Sequence, residues 1–149
     1  MAPTISGVLE TCLYVDDMAR ARAFYQDVLG LDPMVSEERL TVYDAGPAMA
    51  LILFQRGGTL ETVELPGGTI PPHDGHGPLH FALAIPADSL DGWRRHLAAN
   101  GVVLEGEMKW PAGGTSLYFR DPDDHLVELA TPGLWRNYRA VSAPSSIPW

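Results

Sequence analysis

A single cysteine, Cys12, stands in a chain of 149 residues. One thiol cannot form an internal disulfide or build a thiolate-rich zinc site. Positive charge is scarce too: ten Lys and Arg face nineteen Asp and Glu, for a formal net charge of −9. Nucleic-acid and anionic-membrane surfaces need clustered basic charge, so neither partner is expected. No apolar run reaches the roughly 18–20 residues that cross a bilayer. The start, Met1-Ala2-Pro3-Thr4, lacks a basic stretch followed by an apolar one, so no secretory leader is expected and the cytoplasm is the expected compartment. What remains is globular composition, 46% hydrophobic and 19% charged. A chain of this length buries roughly two-thirds of its unfolded surface, so neither a disulfide nor a structural metal is required for folding.

The first pattern is an alternation over Val8–Val15. Leu9, Thr11, Leu13 and Val15 take one face, and Glu10, Cys12 and Tyr14 the other, which predicts a strand. Asp16-Asp17 offers a cap, and Ala21, Tyr25 and Val28 follow at helical spacing. Gly30 supplies a left-handed stop, so a helix is predicted over residues 17–29. Strands are predicted over Leu40–Asp44 and Met49–Gln55. Residues 57–76 carry Gly57-Gly58, Pro66-Gly67-Gly68 and Pro71-Pro72, and read as a linker with local strand at Thr62–Leu65.

The pattern then restarts. Leu79–Ile85 alternates, with Phe81, Leu83 and Ile85 on one face and His80, Ala82 and Ala84 on the other. Asp88 or Ser89 caps a helix lined by Leu90, Trp93 and Leu97 that ends at Gly101. Val102–Glu105, Ser116–Arg120 and Leu126–Ala130 are predicted strands, the last two joined by the turn Asp121–Asp124. Gly30 and Gly101 lie 71 residues apart, and Glu10 and His80 lie 70 apart. Offsets that agree to one residue and matching element order argue for an internal βαβββ duplication. The expected divisions are residues 1–56 (first module), 57–76 (linker), 77–131 (second module) and 132–149 (tail), together one domain. In the tail, Trp135, Tyr138 and Trp149 are apolar groups expected to cover the domain or a partner subunit.

Residues 10–30, with Phe24-Tyr25 followed by Val28-Leu29-Gly30, resemble the opening of the vicinal oxygen chelate superfamily, which includes glyoxalases, bleomycin-resistance proteins and extradiol dioxygenases. The segments Gly77–Ile85 and Leu117–Leu129 resemble its second module, and the likeness covers nearly all of residues 7–131. It implies an α+β fold of two tandem βαβββ modules, whose mixed sheets curl into a cup-shaped half-barrel around one divalent metal. Carried over by position, the implied ligands are Glu10, His80 and Glu128. Leu53 is assigned to the fourth ligand position, a departure from the family pattern, with Gln55 two residues further along the same face. Fold alone does not fix the chemistry.

The residues themselves bear on this assignment. Glu10, His80 and Glu128 each lie in a β-forming stretch on the face opposite the apolar stripe. A carboxylate on a concave sheet face is costly unless it is paired, protonated or bound to a metal; a solvent-facing sheet surface would explain the pattern equally. Two carboxylates and an imidazole suit Mn, Zn, Ni or Mg, and fit iron less well because the two-His, one-carboxylate triad is absent. Tyr118 and Glu128 are the catalytic candidates: Tyr118 as a hydrogen-bond donor in the site, with cross-strand packing as its alternative. Arg120 could bind an anionic substrate or pair with Asp121 or Asp123. His73, in a Gly- and Pro-rich loop, is a candidate loop base, and Trp110 a candidate aromatic wall. Cys12 reads as a small buried residue rather than a nucleophile. The expected function is metal-dependent lyase, isomerase or hydrolase chemistry on a small vicinal-oxygen substrate, in a homodimer. The alternative is a metal-free protein that sequesters a ligand, as bleomycin-resistance proteins do.

Overall fold

The computed structural model describes residues 1–139. It contains two compact units: Met1–Leu79 together with Asp121–His125, and His80–Arg120 together with the chain from Leu126 onward.

In the first unit, β1 (Glu10–Val15), β2 (Pro33–Ser36), β3 (Leu40–Asp44) and β4 (Ala50–Gln55) form one sheet in the order β1-β4-β3-β2. β1 runs parallel to β4 and the remaining pairs are antiparallel. Between β1 and β2 lies α1 (Met18–Arg22). Asp17 caps it, accepting the Arg20 N–H at 3.0 Å as the sequence suggests. The predicted single helix over 17–29 is corrected in kind: α1 widens into a π-helical stretch, Ala23–Val28. Gly30 then ends it at φ +69°, with its N–H on Gln26 O and the Leu31 N–H on Tyr25 O. The helix buries Met18, Ala21, Phe24 and Tyr25. Tyr25 stacks on Tyr43, ring centroids 5.9 Å apart, and Arg22 Nε donates to Thr41 Oγ1 at 2.7 Å. These contacts place the β3 residues Thr41 and Tyr43 on the helix-facing side of the sheet.

The second unit repeats this order. β7 (His80–Ala84), β8 (Gly106–Lys109), β9 (Thr115–Arg120) and β10 (Leu126–Ala130) form a sheet in the order β7-β10-β9-β8, with β7 parallel to β10. α2 (Leu90–Ala99) follows a short 3₁₀ turn and stops at Gly101, φ +71°. Equal strand orders, equal parallel pairs and equal glycine stops bear out the two-module α+β architecture.

Several boundaries differ from those read in the sequence. β1 begins at Glu10, leaving Val8 and Leu9 exposed. β2 was not anticipated: it is a four-residue edge strand, exposed throughout, that opens on Pro33 and is bulged before Val35. The strand expected at Val102–Glu105 is displaced to β8. The Val102 N–H is spent on Leu97 O at the end of α2, and Val103 is 77% exposed. The linker holds a hairpin, β5 (Val63–Leu65) and β6 (Gly68–Ile70). In the tail, the Tyr138 hydroxyl donates to Ala130 O at 3.0 Å. Trp135 stays 66% exposed, and Trp149 lies outside the described residues.

Candidate functional site

Antiparallel pairing in the second unit sets Glu128 opposite Tyr118 and Ala130 opposite Ser116. Parallel pairing sets His80 beside Leu126 and Ala82 beside Glu128. Alternation therefore puts His80, Ser116, Tyr118 and Glu128 on one face of the sheet. Glu128 is 5% exposed, rare for a carboxylate without partners. Its Oε1 accepts hydrogen bonds from the Ser116 hydroxyl and, at 3.1 Å, from the Tyr118 hydroxyl. Its Oε2 lies 3.3 Å from His80 Nε2. On the other side of the ring, His80 Nδ1 lies 3.0 Å from Leu126 O. A carbonyl only accepts, so Nδ1 carries the proton. In the neutral ring Nε2 then presents a lone pair. That lone pair faces a carboxylate oxygen, an arrangement that a proton or a metal cation between them would satisfy. The donor set is one imidazole and one carboxylate, each with its far side tied down, as metal ligands commonly are. This pair fits a divalent metal.

Burial, with a further contribution from the Glu128 carboxylate, lifts the Tyr118 hydroxyl above its ordinary range, while Ser116 opposes the shift. Tyr118 is thereby kept protonated as a donor. Its ring is tilted against His80, centroids 6.4 Å apart. Trp110, expected as an aromatic wall, donates its Nε1–H to Ser116 Oγ at 2.8 Å. Arg120 pairs with Glu105 at 3.0 Å.

The remaining candidates belong to the first unit. Glu10 opens β1 and is exposed. Among the described residues, no group of three or more His, Cys, Asp or Glu is gathered as a metal site. Cys12 is half-buried; burial first, and then Glu10, pushes its thiol up, against a nucleophilic role. His73 Nδ1 shares a 2.7 Å hydrogen bond with the Tyr14 hydroxyl, and its ring meets Phe54 edge-on at 4.8 Å. His73 is thus engaged in packing the loop onto β1 and β4.

The fourth ligand position requires correction. Glu10 pairs with Ala50 as His80 pairs with Leu126, so the counterpart of Glu128 is Ile52, not Leu53. A shift of one residue turns a strand position to the opposite face. Leu53 is wholly buried, opposite Thr41 on the helix side, and offers no surface to a substrate. Gln55 shares that side, and its Nε2 donates to Asp16 O at 2.8 Å.

Two residues went unassigned. Ser116 was read only as the first residue of the predicted strand Ser116–Arg120, without its partner Glu128. His125 is wholly buried, accepting the Leu79 N–H at Nδ1 (2.9 Å) and donating from Nε2 to Tyr14 O (2.8 Å). Its only sequence signal is its place at the end of the Asp121–Asp124 turn.

This duplicated βαβββ fold, with a histidine and a carboxylate facing each other from its parallel strand pair, defines a class. The model of the Glyoxalase/Bleomycin resistance protein/Dioxygenase superfamily matches residues 7–129, and the chain belongs to that superfamily. Within it, the metallothiol transferase FosB of Staphylococcus haemolyticus is 28% identical over 131 residues, spanning 87% of this chain and 86% of the relative. FosB of Shouchella clausii is 30% identical over 129 residues, spanning 85% and 81%. Among solved structures, a lactoylglutathione lyase from Agrobacterium tumefaciens superposes with a TM-score of 0.81 at 31% identity, over 90% of this chain and 99% of that one.

Proposed function

We propose that the chain is a divalent-metal-dependent enzyme acting on a small, oxygen-bearing substrate, with His80 and Glu128 as metal ligands and a homodimer as the working unit. The observation that carries this reading is the His80–Glu128 pair. His80 Nε2 and Glu128 Oε2 face each other at 3.3 Å, and the outer side of each residue is fixed by a hydrogen bond. When bound, a divalent metal supplies Lewis-acid polarisation of a substrate oxygen. The protein's own groups do the rest. His80 is held in one tautomer by Leu126 O. Glu128 is held by Ser116 and Tyr118. The Tyr118 hydroxyl, one bond from Glu128, is placed to donate to a polar group of the substrate.

The names of the relatives support this reading, since one class is called a metallothiol transferase and another a lactoylglutathione lyase. They add transfer to a thiol to the lyase, isomerase and hydrolase chemistry that the site residues suit. Ile52, apolar at the counterpart of Glu128, favours a second reading: a metal-free protein that sequesters a ligand.

Melting temperature separates the two. Protein stripped with a chelator and supplied with Mn²⁺ or Zn²⁺ at neutral pH should melt higher, because a ligand that binds only the folded state stabilises it by mass action. No shift with any divalent ion from a folded protein would favour the metal-free reading.

A further inference from the structure

We propose that Ser116, itself held by Trp110, is a positioning residue that decides which oxygen of Glu128 is offered to a metal. This rests on the metal-dependent reading above.

Ser116 is wholly buried in the middle of a sheet. A buried hydroxyl needs partners, and Trp110 and Glu128 set its direction, with the Tyr118 hydroxyl also within its reach. An indole N–H can only donate, so at 2.8 Å from Trp110 Nε1 the Ser116 oxygen must accept. Its proton then goes to Glu128 Oε1, the charged acceptor beside it. Tyr118 adds a second donor to that same oxygen at 3.1 Å. Oε1 therefore receives two hydroxyl protons, whereas Oε2, among the described residues, faces His80 Nε2. The carboxylate is held with one oxygen engaged and the other aimed at the imidazole.

Trp110 is well placed to set this arrangement. It stands at the root of the β8–β9 hairpin, where its N–H donates to Gly114 O at 2.7 Å and its carbonyl accepts from the Gly113 N–H at 2.9 Å. The main chain that carries the indole is thus fixed in the hairpin, and the chain Trp110–Ser116–Glu128 runs from that backbone to the carboxylate. Without Ser116, Glu128 keeps only the Tyr118 bond, and rotation about its terminal bond exchanges the two oxygens.

The test is Mn²⁺ affinity, measured by titration in metal buffers on the full chain, with circular dichroism as the check of folding. Ser116→Ala should weaken binding by about 10- to 100-fold, the usual cost of losing an outer partner of a metal ligand. Trp110→Phe, which keeps a ring but removes the donor, should weaken it by a smaller factor. In the Ser116→Ala background, Trp110→Phe should cause no further loss, because Trp110 acts through Ser116; a merely structural role in the hairpin would leave its effect undiminished. Affinity of Ser116→Ala within about twofold of the parent, or an undiminished Trp110→Phe effect in the double variant, overturns the proposal. Should Ser116→Ala not fold, unchanged affinity in Trp110→Phe overturns it. A folded parent that binds no metal removes the metal reading and this proposal together, whereas a binding parent with an equally binding Ser116→Ala removes only this one.

Discussion

Tyr25 shows how much one buried hydroxyl decides. It donates to Asp121 Oδ2 at 2.7 Å from a position with no exposure. Asp121 Oδ1 meanwhile accepts the N–H groups of Asp123 and His125 and so holds the turn. Burial, and then the Asp121 charge, raises the Tyr25 hydroxyl far above its ordinary range. The sign of its linkage to stability follows. An unfolded tyrosine ionises near pH ~10, but the folded one does not at that pH. Its contribution is complete below about pH 10 and is lost as the pH rises further, at about 1.4 kcal/mol per pH unit for one proton. Tyr25→Phe should cost about 1–3 kcal/mol near pH 7, because Asp121 loses a donor inside the protein. It should also remove one proton's share of the alkaline slope. Urea unfolding from pH 7 to 11 measures both, and an unchanged alkaline slope in the variant would contradict this account.

Among the elements, register decides more than propensity. The β7–β10 and β1–β4 pairs share one parallel register pattern, with His80 beside Leu126 as Glu10 is beside Ala50, yet the sequence placed Leu53 where Ile52 stands. Leu51, Ile52 and Leu53 are all apolar and all buried, so no alternation marks which face each one takes. β10 was legible to the residue because a charged group, Glu128, interrupts Val127 and Leu129. β2 was invisible because an exposed edge strand that opens on a proline carries no apolar period. β8 was misplaced because Val102-Val103 is the better β-former, yet Val102 belongs to the helix stop. His80 and Glu128 were assigned through the family resemblance, with which their strand faces agree, and Tyr118 through its place on the neighbouring strand. The partners that hold them, Ser116, Trp110 and the Leu126 carbonyl, depend on cross-strand neighbours that no local pattern encodes. Loop contact can be tested in the same way. The Gly133 backbone lies so close to the 112–114 loop that a Cβ would sit 2.6 Å from Gly114 N, at a φ of +112°. Gly133→Ala should therefore cost about 1–3 kcal/mol or more, read as a lower urea midpoint. Gly7→Ala, in open space, should leave the midpoint unchanged.

For the whole molecule, the fold and family are established, and the assembly and chemistry are what we propose. β2 presents an exposed edge, and Leu9, Met34 and Trp135 are apolar and exposed. Unpaired edges and apolar surface are what subunit pairing covers. Light scattering at micromolar concentration should give the mass of two 16.2 kDa chains, and a monomer would contradict the homodimer.

The central claim, that His80 and Glu128 hold one divalent metal, is tested most directly by equilibrium Mn²⁺ binding to the purified chain and to His80→Ala and Glu128→Ala. The account predicts one ion per chain for the parent and an affinity at least ~10-fold weaker in each variant. A Glu128→Ala variant that is folded and binds Mn²⁺ as tightly as the parent would contradict it.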